Sequence, residues 1–433
     1  MKKSRFLLGL LPALLLGMFV VPSAMADGLD EHGALNATDT KPVQAAITKV
    51  FQTPVGTIMP DLTFHFQISA VSIDGDTSNR VYMPSLGPVT LSTSTMTALD
   101  PTGDTLSYYA ESDNIFDGAI FPYAGIYVYT VTENADTNPV IISDSFRQVL
   151  TYSQASYQLT VYVSNLTDGA GTYIYSLTTE KVTNDAGADG GNVKVDPTPG
   201  GDGADTTYSQ MTFTNTYVKT NGSQDPLDPD PIAHGTLSVS KQVSGVLAST
   251  EVYFPFTIKV APPSLASQLD HFIAYIVEGR TVVDDIALNT ATGTLTGTSL
   301  DSNQHRYISF SANVPTNFSL KAGQSLVFVD TPVGTNYDVT EQASTGYEPS
   351  LVVTTNGLAA AAIDNGVNAS VSATGQLVGE GLNNAAVTNL RNFVTPTGLS
   401  MGSLPFVGVM ALAVMGIIGF TWFTIRSKRR ATA

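Results

Sequence analysis

A lysine written into the buried face of a strand restricts most strongly how this chain can fold. In Leu237-Ser238-Val239-Ser240-Lys241-Gln242-Val243, alternate side chains of a strand point to opposite faces. Leu237, Val239 and Val243 therefore share a face with Lys241, while Ser238, Ser240 and Gln242 take the other. Burying an ammonium without a partner costs several kcal/mol, so the position requires a buried acid. The same arrangement recurs in Ile47-Thr48-Lys49-Val50-Phe51, where Lys49 lies on the Ile47/Phe51 face. Two blocks of the chain open in the same way.

Each block supplies an acid and an amide in matching register. In the first, Tyr127, Tyr129 and Val131 alternate inward and Glu133 follows on their face; in the second, Tyr337 and Val339 are followed by Glu341. Both acids stand in a Tyr-x-Val-Thr-Glu context. Near the end of each block, Asn215 shares a face with Met211, Phe213 and Tyr217, and Asn389 shares one with Val387. The order is Lys, Glu, Asn twice over.

This set of groups has a chemistry. Burial lowers the pKa of an amine and raises that of a carboxylic acid, so a neutral nucleophile and a protonated donor can coexist. The amine attacks the Asn carboxamide while the acid hydrogen-bonds its oxygen and moves protons. Ammonia leaves, and a Lys–Asn isopeptide bond remains. A buried Lys–Glu salt bridge with a hydrogen-bonded Asn is the alternative, and the repetition of order and register favours the reactive reading.

The ends of the chain read as processing signals. Residues 1–26 combine Lys2, Lys3 and Arg5 with an apolar run from Phe6 to Val21 and the small-x-small triplet Ala24-Met25-Ala26, the form of a signal peptide cleaved after Ala26. Within residues 394–433, the stretch 404–425 is apolar and long enough to span a bilayer as a transmembrane helix in the precursor. The tail 426–433 carries Arg426, Lys428, Arg429 and Arg430, which hold it in the cytoplasm. Seven of the 20 basic residues lie in these two segments, leaving 13 against 37 acidic and a net charge of −24 between them. Such a surface repels nucleic acid and anionic lipid. The chain has no cysteine, which excludes disulfides and a Cys-based thioester.

Between the ends, residues 27–45 read as a flexible leader. Residues 46–218 and 236–393 alternate apolar and polar residues in short runs punctuated by Gly, Pro, Asn and Asp, the pattern of an all-β sandwich. Asn184 to Asp205, rich in Gly and Asp, reads as a mobile loop. Residues 219–235 contain Asp225-Pro226-Leu227-Asp228-Pro229-Asp230-Pro231, a stiff, solvated linker that lets the two blocks respond separately. Residues 357–384 carry no assignment. The five histidines, His32, His65, His234, His271 and His305, form no motif, so no turnover enzyme, cofactor or metal site is expected.

Val394, Thr395, Pro396, Thr397 and Gly398, followed by the apolar span and basic tail, resemble a Gram-positive cell-wall sorting signal. The resemblance implies that a sortase cuts between Thr397 and Gly398 and passes the Thr397 carbonyl to an amine. The common signal begins Leu-Pro; the Val-x-Pro-Thr-Gly form is similar to that of T-antigen-like backbone pilins. The order from Lys49 through Tyr-Thr-Val-Thr-Glu133, Thr-Phe-Thr-Asn215, Lys241, Pro-Val-Gly-Thr-Asn-Tyr-Asp-Val-Thr-Glu341 and Val-Thr-Asn389 also resembles that family. The resemblance implies two tandem immunoglobulin-like (CnaB-like) β-sandwiches whose first and last strands lie side by side, joining Lys49 to Asn215 and Lys241 to Asn389.

It further implies an exported structural subunit on the Gram-positive cell wall, polymerised by a sortase, linked to peptidoglycan and supporting adhesion. In those pilins the acceptor lysine lies in the first domain shortly before its last strand. Tyr208 holds that position here. The nearest upstream lysines are Lys194 and Lys181, of which Lys194 is the preferred acceptor. A monomeric wall-anchored adhesin with a host or matrix ligand is the alternative.

Overall fold

The computed structural model describes residues 43–77, 81–144, 147–167, 169–200, 209–222, 237–286 and 298–392, with helical residues between Met410 and Trp422. The signal peptide with Ala26, the leader up to residue 42, most of the linker, the pentad Val394 to Gly398 and the basic tail lie outside the described residues. No helix among the described residues is long and apolar enough to cross a membrane.

The period-two alternation becomes strands, as the sequence predicts. In Phe254–Ala261 and Asn383–Leu390, buried and half-buried residues alternate along the full length, and in Gly125–Asn138 the side chains of Tyr127, Tyr129 and Val131 are fully buried. The result is two β-sandwiches in tandem.

In the first, one sheet runs in the order Thr97–Ala98, Thr105–Glu111, Thr48–Pro54, Thr212–Asn221, with Gln148–Thr151 beyond. Its partner runs Asp189–Val195, Thr172–Thr183, Ser156–Asn165, Gly125–Asn138, Leu62–Ile73, Val89–Leu91. Phe51, Phe64, Tyr127, Tyr157 and Phe213 fill the space between them. In the second, a long sheet places Leu237–Ser244 between Gln324–Val329 and Asn383–Leu390. A four-stranded sheet carries Thr316–Leu320, Phe254–Ala261, Asn336–Glu341 and Val371–Leu377. Phe254, Phe256, Phe310, Phe328 and Tyr337 lie between these two. Each large buried side chain contributes roughly 1.5–3 kcal/mol of transfer free energy.

The opening strand of each sandwich lies parallel and hydrogen-bonded to the closing strand. Lys49 stands opposite Phe213 in one ladder and Lys241 opposite Val387 in the other. In both, the asparagine lies two residues beyond the lysine's ladder partner.

Three stretches depart from the sequence reading. Residues 43–45, assigned to the leader, are already in the fold: Val43 donates its N–H to the Ile174 carbonyl, and Ala45 is fully buried. The Gly-rich stretch after Asn184 is no simple loop. Asp189–Val195 forms an edge strand on Thr172–Thr183 with Lys194 opposite Glu180, because a neighbouring strand supplies the pairing that Gly and Asn do not favour on their own.

The closing strand of the first domain, which runs on to Asn221, also enters the assigned linker. Thr220 and Asn221 pair with Pro332 and Thr331 of the second domain. Glu380 accepts hydrogen bonds from the Lys219 ammonium and the Ile58 N–H. The domains therefore meet along a paired seam rather than through a linker alone.

Gly334 closes this seam. Its φ is +87°, and a Cβ there would stand 2.5 Å from the Pro54 Cβ and 3.2 Å from the Val55 carbonyl oxygen. Both the left-handed backbone and the contact exclude other residues without movement. Gly334→Ala is expected to part the domains while leaving each core folded. The digest should show new tryptic cleavage after Lys219, whose carbonyl now accepts the Val333 N–H, and two resistant fragments. A digest identical to the parent's would count against the seam.

Candidate functional site

Each lysine is buried by its strand register and aimed by its neighbours. The Lys49 and Glu133 side chains are 0 % exposed, with Nζ 2.9 Å from Oε2. Lys241 and Glu341 repeat this at 2.9 Å, at 0 % and 1 % exposure. The second carboxylate oxygen, Oε1, accepts the carboxamide N–H: Asn215 Nδ2 donates to Glu133 at 2.7 Å, and Asn389 Nδ2 donates to Glu341. Lys49 also donates to the Phe213 carbonyl at 3.1 Å. All six predicted site residues thus meet, three in each core, and in each core one carboxyl group bridges the two nitrogens.

The aromatic floor was not singled out from the sequence. Lys49 Nζ lies 4.7 Å above the Phe64 ring centroid, and Lys241 Nζ lies 4.3 Å above Phe254. Two residues on, Phe66 pairs with Glu133 and Phe256 with Glu341. A Phe-x-Phe early in each block's second core strand carries both contacts, and that repeat was the available signal. One strand sets the ring under the amine and the glutamate opposite.

Electrostatics follows from burial. Desolvation lowers the pKa of Lys49 to about 8, against the opposing charge and hydrogen bond of Glu133. Lys241 is lowered to about 8 for the same reasons, with Glu341 as the opposing charge. Burial raises Glu133 and Glu341 above the ordinary carboxylate range, outweighing the lysine charges and the hydrogen bonds from lysine and asparagine. Both shifts favour the uncharged forms, a neutral amine and a protonated acid.

The carboxamide orientation differs from expectation. The sequence reading places the acid on the amide oxygen, whereas the glutamate faces the nitrogen. The first site fixes that assignment. Asn215 Oδ1 accepts the backbone N–H of Ser153 at 2.6 Å, a group that can only donate, so the atom it meets is oxygen. At the second site Asn389 Oδ1 is buried and has no hydrogen-bond partner among the described residues.

The remaining candidates lie elsewhere. Lys194 is exposed on its edge strand, and Lys181 Nζ sits 5.4 Å from the Tyr157 ring centroid. His65, His271 and His305 form separate pairs with Asp136, Asp270 and Asp284. No group of residues suited to a metal ion occurs among the described residues.

No curated protein matches the sequence. Residues 235–391 match a family described only as a domain of unknown function, and residues 45–218 match the Spy0128-like isopeptide containing domain. Among solved structures, the chain is similar to the major pilin of Streptococcus pyogenes, with 18% identity, coverage of 82% of this chain and 100% of that one, and a TM-score of 0.31. The T3.2 major pilin of the same species aligns at 18% identity over 81% and 98% of the two chains, TM-score 0.29. Its T-13 major pilin aligns at 17% over 83% and 99%, TM-score 0.30. The first domain of this chain, residues 45–218, is therefore similar to the Spy0128-like isopeptide containing domain family.

Proposed function

We propose that the chain is a structural pilus subunit of a Gram-positive cell surface, crosslinked internally by Lys49–Asn215 and Lys241–Asn389 isopeptide bonds. The observation that carries this reading is the Lys–Glu–Asn geometry built twice, in the same register, over the same aromatic floor. A salt bridge alone would not require the carboxyl to bridge amine and carboxamide in both cores.

The step balances as an amide exchange. Neutral Nζ attacks Cγ of the asparagine; a proton passes from Nζ to one glutamate oxygen, and the other oxygen returns one to Nδ2. The Cγ–Nδ2 bond breaks and ammonia leaves, with the carboxyl restored. Each bond forms once per chain, so this is self-modification rather than turnover.

The product suits a shaft. The opening and closing strands are parallel neighbours, and a crosslink between them closes nearly a whole domain. A load entering one and leaving the other would then pass through a covalent bond that no reductant cleaves. A sortase would join Thr397 of one copy to a lysine of the next, or to peptidoglycan.

Lys194 remains the proposed acceptor. Lys49 and Lys241 are enclosed, Lys219 is held by Glu380, and Lys194 is exposed on an edge strand. An immunoblot of wall extract from the native host is expected to show a ladder of boiling-resistant high-mass species, and a single band would favour a monomeric adhesin. Lys194→Arg should abolish the ladder and leave both internal bonds intact. A full ladder in that variant would remove Lys194 from the role.

A further inference from the structure

We propose that the backbone N–H of Ser153 is an oxyanion donor for the first-domain crosslink, held in place by Asp185, and that the second domain lacks this donor. The proposal rests on the isopeptide reading of the Lys–Glu–Asn sites and adds to it a device present at one site alone.

The donor exists because a strand stops early. Gln148–Thr151 pairs antiparallel with the closing strand, with Thr216 opposite Thr151. The ladder ends there, and Ser153 turns its N–H to Asn215 Oδ1 at 2.6 Å. In the second domain the corresponding neighbour runs on as Glu348–Thr355, with Pro349 opposite Asn389 and Ser350 opposite Thr388. Continuous pairing leaves no bent segment to reach inward, and Asn389 Oδ1 is without a partner among the described residues.

Asp185 anchors the bend from two sides. Its Oδ1 accepts the Ser153 hydroxyl at 2.6 Å and the Thr214 N–H of the closing strand at 2.7 Å, while its carbonyl accepts the Gln154 N–H at 3.0 Å. The residue bearing the donor and the residue preceding Asn215 are thus tied to one carboxylate. Ser153 is 5% exposed, so water does not compete freely for the contact.

The chemistry needs such a donor. When Lys49 Nζ bonds to Cγ, the carbonyl electron pair moves onto Oδ1. Glu133 is occupied with the two nitrogens and cannot stabilise that oxygen. The Ser153 N–H lies on it before reaction, so its reorganisation cost is small. Ser153 therefore acts on a reacting atom, and Asp185 is a positioning residue. Within one chain, the first crosslink forms ahead of the second.

The test is a time course of ammonia loss during cell-free synthesis of the chain, quenched in acid and read by the mass of fragments spanning each crosslink. Replacing Ser153 by its α-hydroxy acid analogue through nonsense suppression swaps the N–H for an ester oxygen. Removal of one oxyanion donor typically slows a reaction about 100-fold or more, and a slowing of that order is expected for the first site alone. Ser153→Ala, which keeps the N–H and loses the hydroxyl bond to Asp185, should recover part of the rate, and Asp185→Ala, which removes both side-chain anchors, should also slow the first site.

Trypsin resistance of residues 43–222 reports folding of the first domain. If the ester chain fails to fold, Asp185→Ala decides, and an unchanged first-site rate there overturns the proposal. Parent-like kinetics in a folded ester chain overturn it equally. Absence of ammonia loss from both sites of the parent would instead refute the crosslinking reading itself.

Discussion

Glu341→Ala is expected to leave Lys241 and Asn389 unjoined, so that the variant falls short of its own sequence mass by one ammonia where the parent falls short by two, and its second domain melts about 10–20 °C lower. The mass follows from the geometry: Glu341 is the bridge between the amine and the carboxamide nitrogen, and without it neither proton has a carrier. The melting shift follows from chain entropy. A crosslink from position 241 to 389 closes a loop of about 150 residues, which by the disulfide relation stabilises by about 5 kcal/mol. For domains of this size, 1 kcal/mol moves the midpoint by roughly 2–4 °C. Glu133→Ala should do the same to the first domain. Intact-mass spectrometry and calorimetry read the two effects separately. A deficit of two ammonias in Glu341→Ala would remove glutamate from the mechanism, and a parent already at its full sequence mass would remove the bond.

The parts of this site visible in the sequence are those that a period of two enforces. Lys49 and Lys241 stand out because a strand gives each residue one of two faces, and theirs is the face of Ile47 and Phe51 or of Leu237 and Val239. Glu133 and Glu341 stand out for the same reason. The adjacency of opening and closing strands does not. It joins Lys49 to a strand more than 160 positions away, and no local pattern encodes such a contact; the pilin resemblance alone implied it.

Phe64 and Phe254 were legible in principle as a repeated Phe-x-Phe, but a phenylalanine in a core strand is ordinary until the amine above it is placed. The Ser153 donor is a backbone group, and every residue except proline has one. Only the early end of the strand Gln148–Thr151 distinguishes it. Asp189–Val195 failed as a strand reading because Asp-Gly-Gly-Asn has low strand propensity. Its pairing with Thr172–Thr183 is a tertiary effect that overrides local preference.

The lysines also set how an uncrosslinked chain responds to pH. Asn215→Ala with Asn389→Ala cannot form either bond and keeps both Lys–Glu pairs titratable. In the folded state Lys49 and Lys241 are lowered to about 8 from 10.5. Between those values the unfolded chain binds more protons than the folded one, so stability rises with pH across that window, by up to about 1.4 kcal/mol per unit for each lysine. Glu133 and Glu341, raised by burial, act in the opposite sense at lower pH. The folded state keeps protons that the unfolded chain releases above the ordinary carboxylate pKa, and stability falls as pH rises through that range. The variant should therefore be least stable near neutrality and recover above pH 8. If the parent is crosslinked as proposed, its lysine nitrogens are amides that do not titrate, and that recovery is expected to be absent. Urea unfolding of both proteins at pH 8, 9 and 10 should show the stability gap between them narrowing. A constant gap would mean that the lysines enter the folded cores fully charged, without the neutral amine that attack on asparagine requires.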